Sequence, residues 1–461
     1  MGDESTINRD GLSSSRIRRN RTHSRYSGGN MGVPQTRVVG YDKKIAFDGA
    51  AVAIPDKKSV GKRRVVHLGF DGILLLVVLT LVIFGILMVH SASWDYSLAK
   101  WNSPTVLVQR QVLWLVIGLV TATAMAWIDY HIWQKLAVWV MAGTILLLLA
   151  VLVLGEKRLG AIRSFTSGSG QPSELAKIMV IIYLSVWLYA KQDRLGEMGF
   201  GLIPLAGILG IVGGLIFLQP DFSAVATIVF LGGMLFFLAG GAWRQISFLV
   251  LAALFIGAVV VLFTATGRER VESYINGLRD LTMASDHVKR SIEAFVRGGW
   301  FGVGIGKGVT KLTTLPVPHT DSIFAVIGEE TGVLGASFLV LFYGLFLWRG
   351  LVIARQAPDG LGKLLAAGLT IWLALEAFVN MAVMVGLLPF AGNALPFISA
   401  GGSSLIVSLV AIGILMNISR LSAKRKNIEE EFLSAVVDLR RRYWRRSVPR
   451  SRRTTGSDLE R

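Results

Sequence analysis

Apolar blocks of membrane-spanning length alternate along this chain with short polar connections, and one polar stretch, residues 267–320, is far longer than the others. Residues 72–89 carry no charged side chain. A run of that length crosses the hydrocarbon core as a helix, whose backbone polar groups satisfy one another without water. The same pattern predicts ten spans, at residues 70–90, 112–128, 136–154, 175–189, 202–218, 223–239, 247–266, 322–348, 364–388 and 405–418. The expected fold class is all-α: a polytopic membrane protein of about ten transmembrane helices with a large extracytoplasmic loop between the seventh and eighth. No internal repeat is visible, which counts against a transporter built from inverted halves.

Composition refines this picture at the ends. The net charge is +18, but the basic residues crowd into two tails flanking the apolar region, so anionic lipid and topology explain them and nucleic acid is not an expected partner. Residues 1–65 read as a basic, disordered cytoplasmic arm. A transit peptide or cleaved signal is not expected, because the first apolar run starts late and Asp3 and Glu4 are acidic. Residues 66–422 form the membrane domain, and 423–461 a second cytoplasmic basic tail. Within that tail, residues 427–444 space Ile428, Phe432, Ala435, Val436, Leu439 and Tyr443 as one apolar helix face, expected to lie on the inner membrane surface. An even number of spans puts both tails on one side, and seven crossings put residues 267–320 outside. Lys191, Arg194, Arg244, Arg349, Arg355 and Lys363 then fall inside, whereas Lys157, Arg158 and Arg163 fall outside and need another reason to exist. The chain has no cysteine, which removes disulfides and thiolate metal sites.

Polar residues inside or beside the spans are the next signal. Gln171-Pro172-Ser173-Glu174 opens the fourth span, with Lys177 one turn beyond Glu174. The two charges form either a structural ion pair or a pair facing a substrate cavity. Asp221 reads as a helix cap, Glu329 and Glu330 as interhelical hydrogen-bonding groups in the eighth span, and Glu376 and Asn380 share a face of the ninth. Before the last span, two prolines and Gly401-Gly402 make a turn-rich entry, with Ser403 placed to cap the following helix.

Several motifs then occur in one order: Gly160-Ala161-Ile162-Arg163, Gln171-Pro172-Ser173-Glu174 with Lys177, Gln219-Pro220-Asp221, Leu315-Pro316 with His319-Thr320-Asp321, Gly328-Glu329-Glu330, and Leu395-Pro396-Phe397-Ile398-Ser399 with Gly401-Gly402-Ser403-Ser404. Together they closely resemble the shape, elongation, division and sporulation (SEDS) family, the FtsW and RodA proteins of bacterial wall synthesis, over residues 70–420. The resemblance implies ten spans with cytoplasmic termini in the bacterial plasma membrane. It also implies polymerisation of lipid II, the undecaprenyl-diphosphate-linked disaccharide pentapeptide, on the outer face, beside a class B penicillin-binding protein transpeptidase. The long arm and basic tail favour an FtsW-like division protein at the septum, among other divisome proteins, over a RodA-like elongation protein. The family's essential aspartate maps to Asp280. Leu281 stands where the family has proline, and Asp286 and His287 stand where it has tyrosine and glutamine, which leaves Asp286 as a second candidate.

Lipid diphosphate is already a good leaving group, so two tasks remain for such an enzyme. A carboxylate must take the proton of the attacking sugar hydroxyl, and cations must meet the departing diphosphate. Asp280 suits the first; Arg163, Lys177, Arg268, Arg270, Lys307 and Lys311 are candidates for the second, with His319 positioning the loop. No cofactor is required by the sequence; a divalent cation is compatible with the diphosphate, but no metal-ligand spacing announces one. A lipid II flippase and a noncatalytic scaffold are the competing functions.

Overall fold

The computed structural model describes residues 69–154, 156–158, 161–164, 171–313 and 315–447, without the side chains of 156–164, 313 and 433–447. The expected arm at 1–65 lies outside the described residues. The rest form α1 (Gly72–Trp101), α2 (Val106–Trp127), α3 (Ile132–Leu154), an antiparallel hairpin of β1 (Glu156–Arg158) and β2 (Ala161–Ser164), α4 (Pro172–Ala190), α5 (Leu202–Phe217), α6 (Phe222–Leu238), α7 (Trp243–Phe263), α8 (Ala265–Arg279), α9 (Asp286–Gly298), α10 (Thr310–Thr313), α11 (Ile323–Gln356), α12 (Gly360–Met384) and α13 (Gly402–Ser447). Each apolar block of the sequence falls on a helix. Among the described residues eight helices are long and apolar enough to cross a membrane, and α5 and α6 are shorter apolar helices.

The ends of the helices have identifiable causes. Asp71 caps α1 by accepting from the Leu74 N–H at 2.9 Å, and Asn102, in the left-handed region at φ 51°, stops it. α1 therefore runs well past the expected end at residue 90. Pro172 opens α4 at a position where its missing N–H costs nothing, with Glu174 in the first turn complementing the helix dipole. The tail helix is not a separate surface element: residues 427–444 continue α13, because neither Gly nor Pro interrupts residues 414–447.

α12 is the central helix, packed on α11, α4, α6 and α13, with Leu369, Trp372 and Leu373 fully buried. α7 is its opposite: only Gln245 is buried, and Phe255, Leu254 and Phe263 point outward. A helix apolar on all sides yet unburied by protein is a lipid-facing helix.

Side-chain contacts sort the helix ends onto two faces. On one, Arg349 of α11 pairs with Asp71 at 2.8 Å, His131 before α3 meets Asp359 before α12 at 2.8 Å, and Asn417 of α13 donates to the Ala126 carbonyl at the end of α2. On the other, Ser91 of α1 meets Glu330 of α11, Gln111 of α2 meets Ser399 and Gly401, and Gln171 before α4 meets Ser403 of α13. The start of α1 and the Arg425 region of α13 thus lie on the first face, and α8, α9 and the glycine-rich loop on the second.

Candidate active site

The polar stretch between α7 and α11 is largely helical, not an open loop. Thr264 caps α8 by accepting from the Gly267 N–H at 3.1 Å. α8 stops at Asp280, whose side chain accepts from the Thr282 N–H at 2.9 Å and starts a single 3-10 turn, Leu281–Met283. α9 follows, burying Val288, Ser291, Ala294 and Gly298 at helical spacing against α11 and α12. Ser291 locks this face by donating to the Met384 carbonyl at 2.6 Å. Asp280 is thus held in a defined turn between two helices while its carboxylate faces solvent. The Thr282 backbone hydrogen bond, with the nearby Lys289 charge, holds that carboxyl below the usual carboxylate range. Asp286 is exposed in the first turn of α9, where it complements the helix dipole.

The glycine ladder after α9 is organised by Glu329 and Glu330, which do not lie within a continuous span as expected. α11 breaks at Gly332 (φ 71°, ψ −175°), so the two glutamates belong to a short helical piece before the break. Glu329 accepts from the N–H groups of Val309 and Thr310 at 3.0 and 3.1 Å. Glu330 accepts from the Gly306 N–H at 3.0 Å, the Ser91 hydroxyl at 2.6 Å and the Lys311 ammonium at 2.6 Å. A Cβ at Gly302 (φ 79°) would collide with the Glu330 carbonyl, so only glycine permits this approach. The ladder is a wrap around two buried carboxylates, with its amides aimed inward.

This geometry gives two of the expected cations carboxylate partners. Lys311 is buried against Glu330 and Ser91, and Lys177 is buried between Glu174, at 2.7 Å, and Glu376. Each ammonium is already matched by carboxylate. Ser403 does not cap its own helix either. Its hydroxyl accepts from the Gln171 N–H at 3.2 Å, joining α13 to α4. Asp221 caps α6 as expected and also accepts from Gln171 and Ser173 at 3.0 Å each.

Of the remaining candidates, Arg163 lies on β2 with its side chain outside the described residues. Arg268 is exposed and donates to the Leu262 carbonyl at 2.8 Å, and Lys307 is exposed. Arg270 lies over the Phe390 ring, on which His287 also stacks with centroids 4.0 Å apart. His287 bonds the Ser322 hydroxyl, and burial lowers its pKa against the pull of Asp286. His319 is buried against Tyr96, and burial together with the Lys100 charge brings its pKa down to about 4. Among the described residues no hydrogen bond or ion pair joins Asp280 to Lys177 or Lys311. Among the described residues no group of three or more His, Cys, Asp or Glu is placed to hold a metal ion.

The sequence alone does not single out Ser91 and Phe390. Their signals are weak: Ser91 sits in the polar run Ser91-Ala92-Ser93 at the expected end of an apolar block, and Phe390 between Pro389 and Ala391-Gly392.

Fold and site define a polytopic helical membrane protein whose non-membrane chemistry is concentrated in one ordered, carboxylate-bearing segment at one face. The profile of the FtsW/RodA/SpoVE cell cycle protein family matches residues 72–424, and the chain belongs to that family. It is 39% identical over 356 residues to the probable peptidoglycan glycosyltransferase FtsW of Geobacter sp. strain M18, covering 76% of this chain and 97% of that one. Among solved structures it resembles a chain of a peptidoglycan synthase complex that coordinates polymerization and crosslinking, at 28% identity and TM-score 0.63, covering 77% and 99% of the two chains. It also resembles the rod shape determining protein RodA of Thermus thermophilus, at 27% identity and TM-score 0.56, covering 77% and 98%.

Proposed function

We propose that this chain is a peptidoglycan glycosyltransferase that polymerises lipid II, with Asp280 as its general base. The observation that carries the reading is the carboxylate of Asp280, open to solvent and fixed in a turn between α8 and α9, at the position to which the resemblance to the family maps its aspartate. In the reaction the acceptor sugar oxygen bonds to the donor's anomeric carbon as its hydroxyl proton passes to Asp280. The bond from that carbon to the lipid diphosphate breaks, and its electron pair leaves with the diphosphate. Arg268 and Lys307, exposed on the same segment, are the cations suited to meet that charge, and Arg270 over Phe390 is suited to orienting a sugar or phosphate.

The finer assignments rest on the same reading. The face carrying α8 and α9 is extracytoplasmic, and the face carrying Arg349, Arg355, Lys363 and Arg425 is cytoplasmic, in accord with their positive charge. Residues 66–422 act as the membrane domain between two basic cytoplasmic tails. A class B penicillin-binding protein is the crosslinking partner, consistent with the resemblance to a chain of a peptidoglycan synthase complex, and the septum is the site of action. The test is incubation of the purified, reconstituted chain with lipid II, with and without that transpeptidase. Glycan strands are expected as product; lipid transfer between leaflets without strand formation would overturn the reading.

A further inference from the structure

The loop after α9 turns its largest apolar side chains outward. Trp300 is 68% exposed, Phe301 83%, Ile305 55%, and Val296 at the end of α9 76%. The backbone beneath them is nevertheless pinned. Gly302 N–H donates to the Gly298 carbonyl at 2.8 Å, and the Val303 and Gly304 N–H groups donate to the Glu329 and Glu330 carbonyls at 3.0 Å each. The carbonyls of Gly299 and Trp300 in turn accept from Val333 and Leu334 at 2.9 and 3.2 Å. Those two residues open the long apolar arm of α11, where Leu334, Phe338 and Leu341 are exposed and, in a membrane protein, meet lipid. Hydrogen bonds therefore fasten Trp300 beside the first lipid-facing turn of a span. Arg297 and Lys307 flank the aromatic pair and are exposed. Aromatic rings bracketed by cations, continuous with a lipid-facing helix, have the chemistry of the headgroup boundary.

We propose that residues 296–305 form an interfacial wedge, with Trp300 and Phe301 entering the adjoining leaflet and Arg297 meeting its lipid phosphates. The occupant of this patch is phospholipid, because the patch continues the lipid-facing surface of α11 and its charges complement phosphate. Since Glu329 and Glu330 fasten the same loop internally, the wedge sets the depth of the whole segment relative to the bilayer. The inference goes beyond the glycosyltransferase reading and stands whether or not that reading holds.

The absence of cysteine makes the test direct. Phe301→Cys, at an exposed position with no packing to lose, is labelled with a nitroxide, and the full chain is reconstituted into vesicles of zwitterionic and anionic phospholipid. Collisional access to oxygen is compared with access to a water-soluble nickel chelate, using Phe338→Cys as the lipid reference and Asp193→Cys, in the exposed turn after α4, as the water reference. The expected oxygen-to-nickel ratio at residue 301 is several-fold above that at 193 and close to that at 338. A ratio like that at 193 places the loop in water and overturns the wedge. Low access to both reagents places the residue against a second copy of the chain and overturns it equally. A parallel Trp300→Cys label checks that the result belongs to the loop rather than to one position.

Discussion

The ammonium of Lys311 lies 2.6 Å from a carboxylate oxygen of Glu330, and both side chains are withdrawn from solvent. The pair joins the end of the glycine-rich loop to the short helix ahead of the Gly332 break, and Ser91 ties both to α1. Removing one member strands the other charge in a low-dielectric site, which costs about 3–5 kcal/mol. Glu330→Ala is therefore expected to lower the thermal unfolding temperature of the purified protein sharply. Glu330→Met combined with Lys311→Met is expected to recover much of the loss, because no unpaired charge remains. Equal or additive losses in the double variant would show that the two side chains act independently.

Gly302 offers a backbone test of the same wrap. Alanine there must adopt φ near 79° and push its methyl group into the Glu330 carbonyl. Strain of this kind costs about 1–3 kcal/mol before any collision is counted. Gly302→Ala is expected to unfold at lower denaturant than wild type and to expose the Val303 and Gly304 amides to hydrogen exchange. Unchanged protection at those amides would contradict the described packing.

His319 makes stability depend on acidity in one direction. Its pKa falls from 6.5 to about 4 in the folded chain, through burial and the Lys100 charge. Above 6.5 the ring is neutral in both states and no stability is lost. As pH drops from 6.5 toward 4 the unfolded chain takes up a proton that the folded chain refuses, so stability declines, by about 3 kcal/mol across the interval. His319→Gln is expected to flatten that part of the unfolding profile. A variant whose acid sensitivity matches wild type would remove His319 as its source.

His131 acts in the opposite direction on the other face. Burial opposes its charge, but hydrogen bonds and attraction from Asp129, at 2.6 Å, and Asp359, at 2.8 Å, outweigh burial and raise its pKa above 6.5. The stability from this clasp is fully present below 6.5 and fades as pH rises through the folded pKa. The gap in unfolding temperature between wild type and His131→Gln is expected to shrink on going from mildly acidic to alkaline buffer. A gap that widens would reverse the assignment.

The apolar helices were legible in the sequence because apolar periodicity and length are local properties, and every expected block found its helix; α8 and α9, polar in composition, were not. Contacts between distant positions were not. Lys177 showed one partner, Glu174, at helical spacing, but its second, Glu376, arrives from α12 by packing alone. Lys311 read as a free cation because nothing near it in the chain announces Glu330 or Ser91. The break at Gly332 directly follows the polar Glu329-Glu330-Thr331, which reads in sequence as hydrogen-bonding groups of one continuous span, and α13 absorbed the tail helix because no residue ends it. Asp280 was found through the family pattern. Its local sequence promised only a helix end, and that is also what the backbone makes of it.

The central claim is that Asp280 accepts a proton during strand formation. Because its side chain faces solvent and hydrogen-bonds only locally, to Thr282, Asp280→Ala is expected to retain the wild-type fold. The decisive measurement is lipid II polymerisation by reconstituted wild type, Asp280→Ala and Asp286→Ala, each with the transpeptidase partner and each checked for matching unfolding temperature. The account predicts strands from wild type and Asp286→Ala and none above background from Asp280→Ala; strands of normal yield from Asp280→Ala would contradict it.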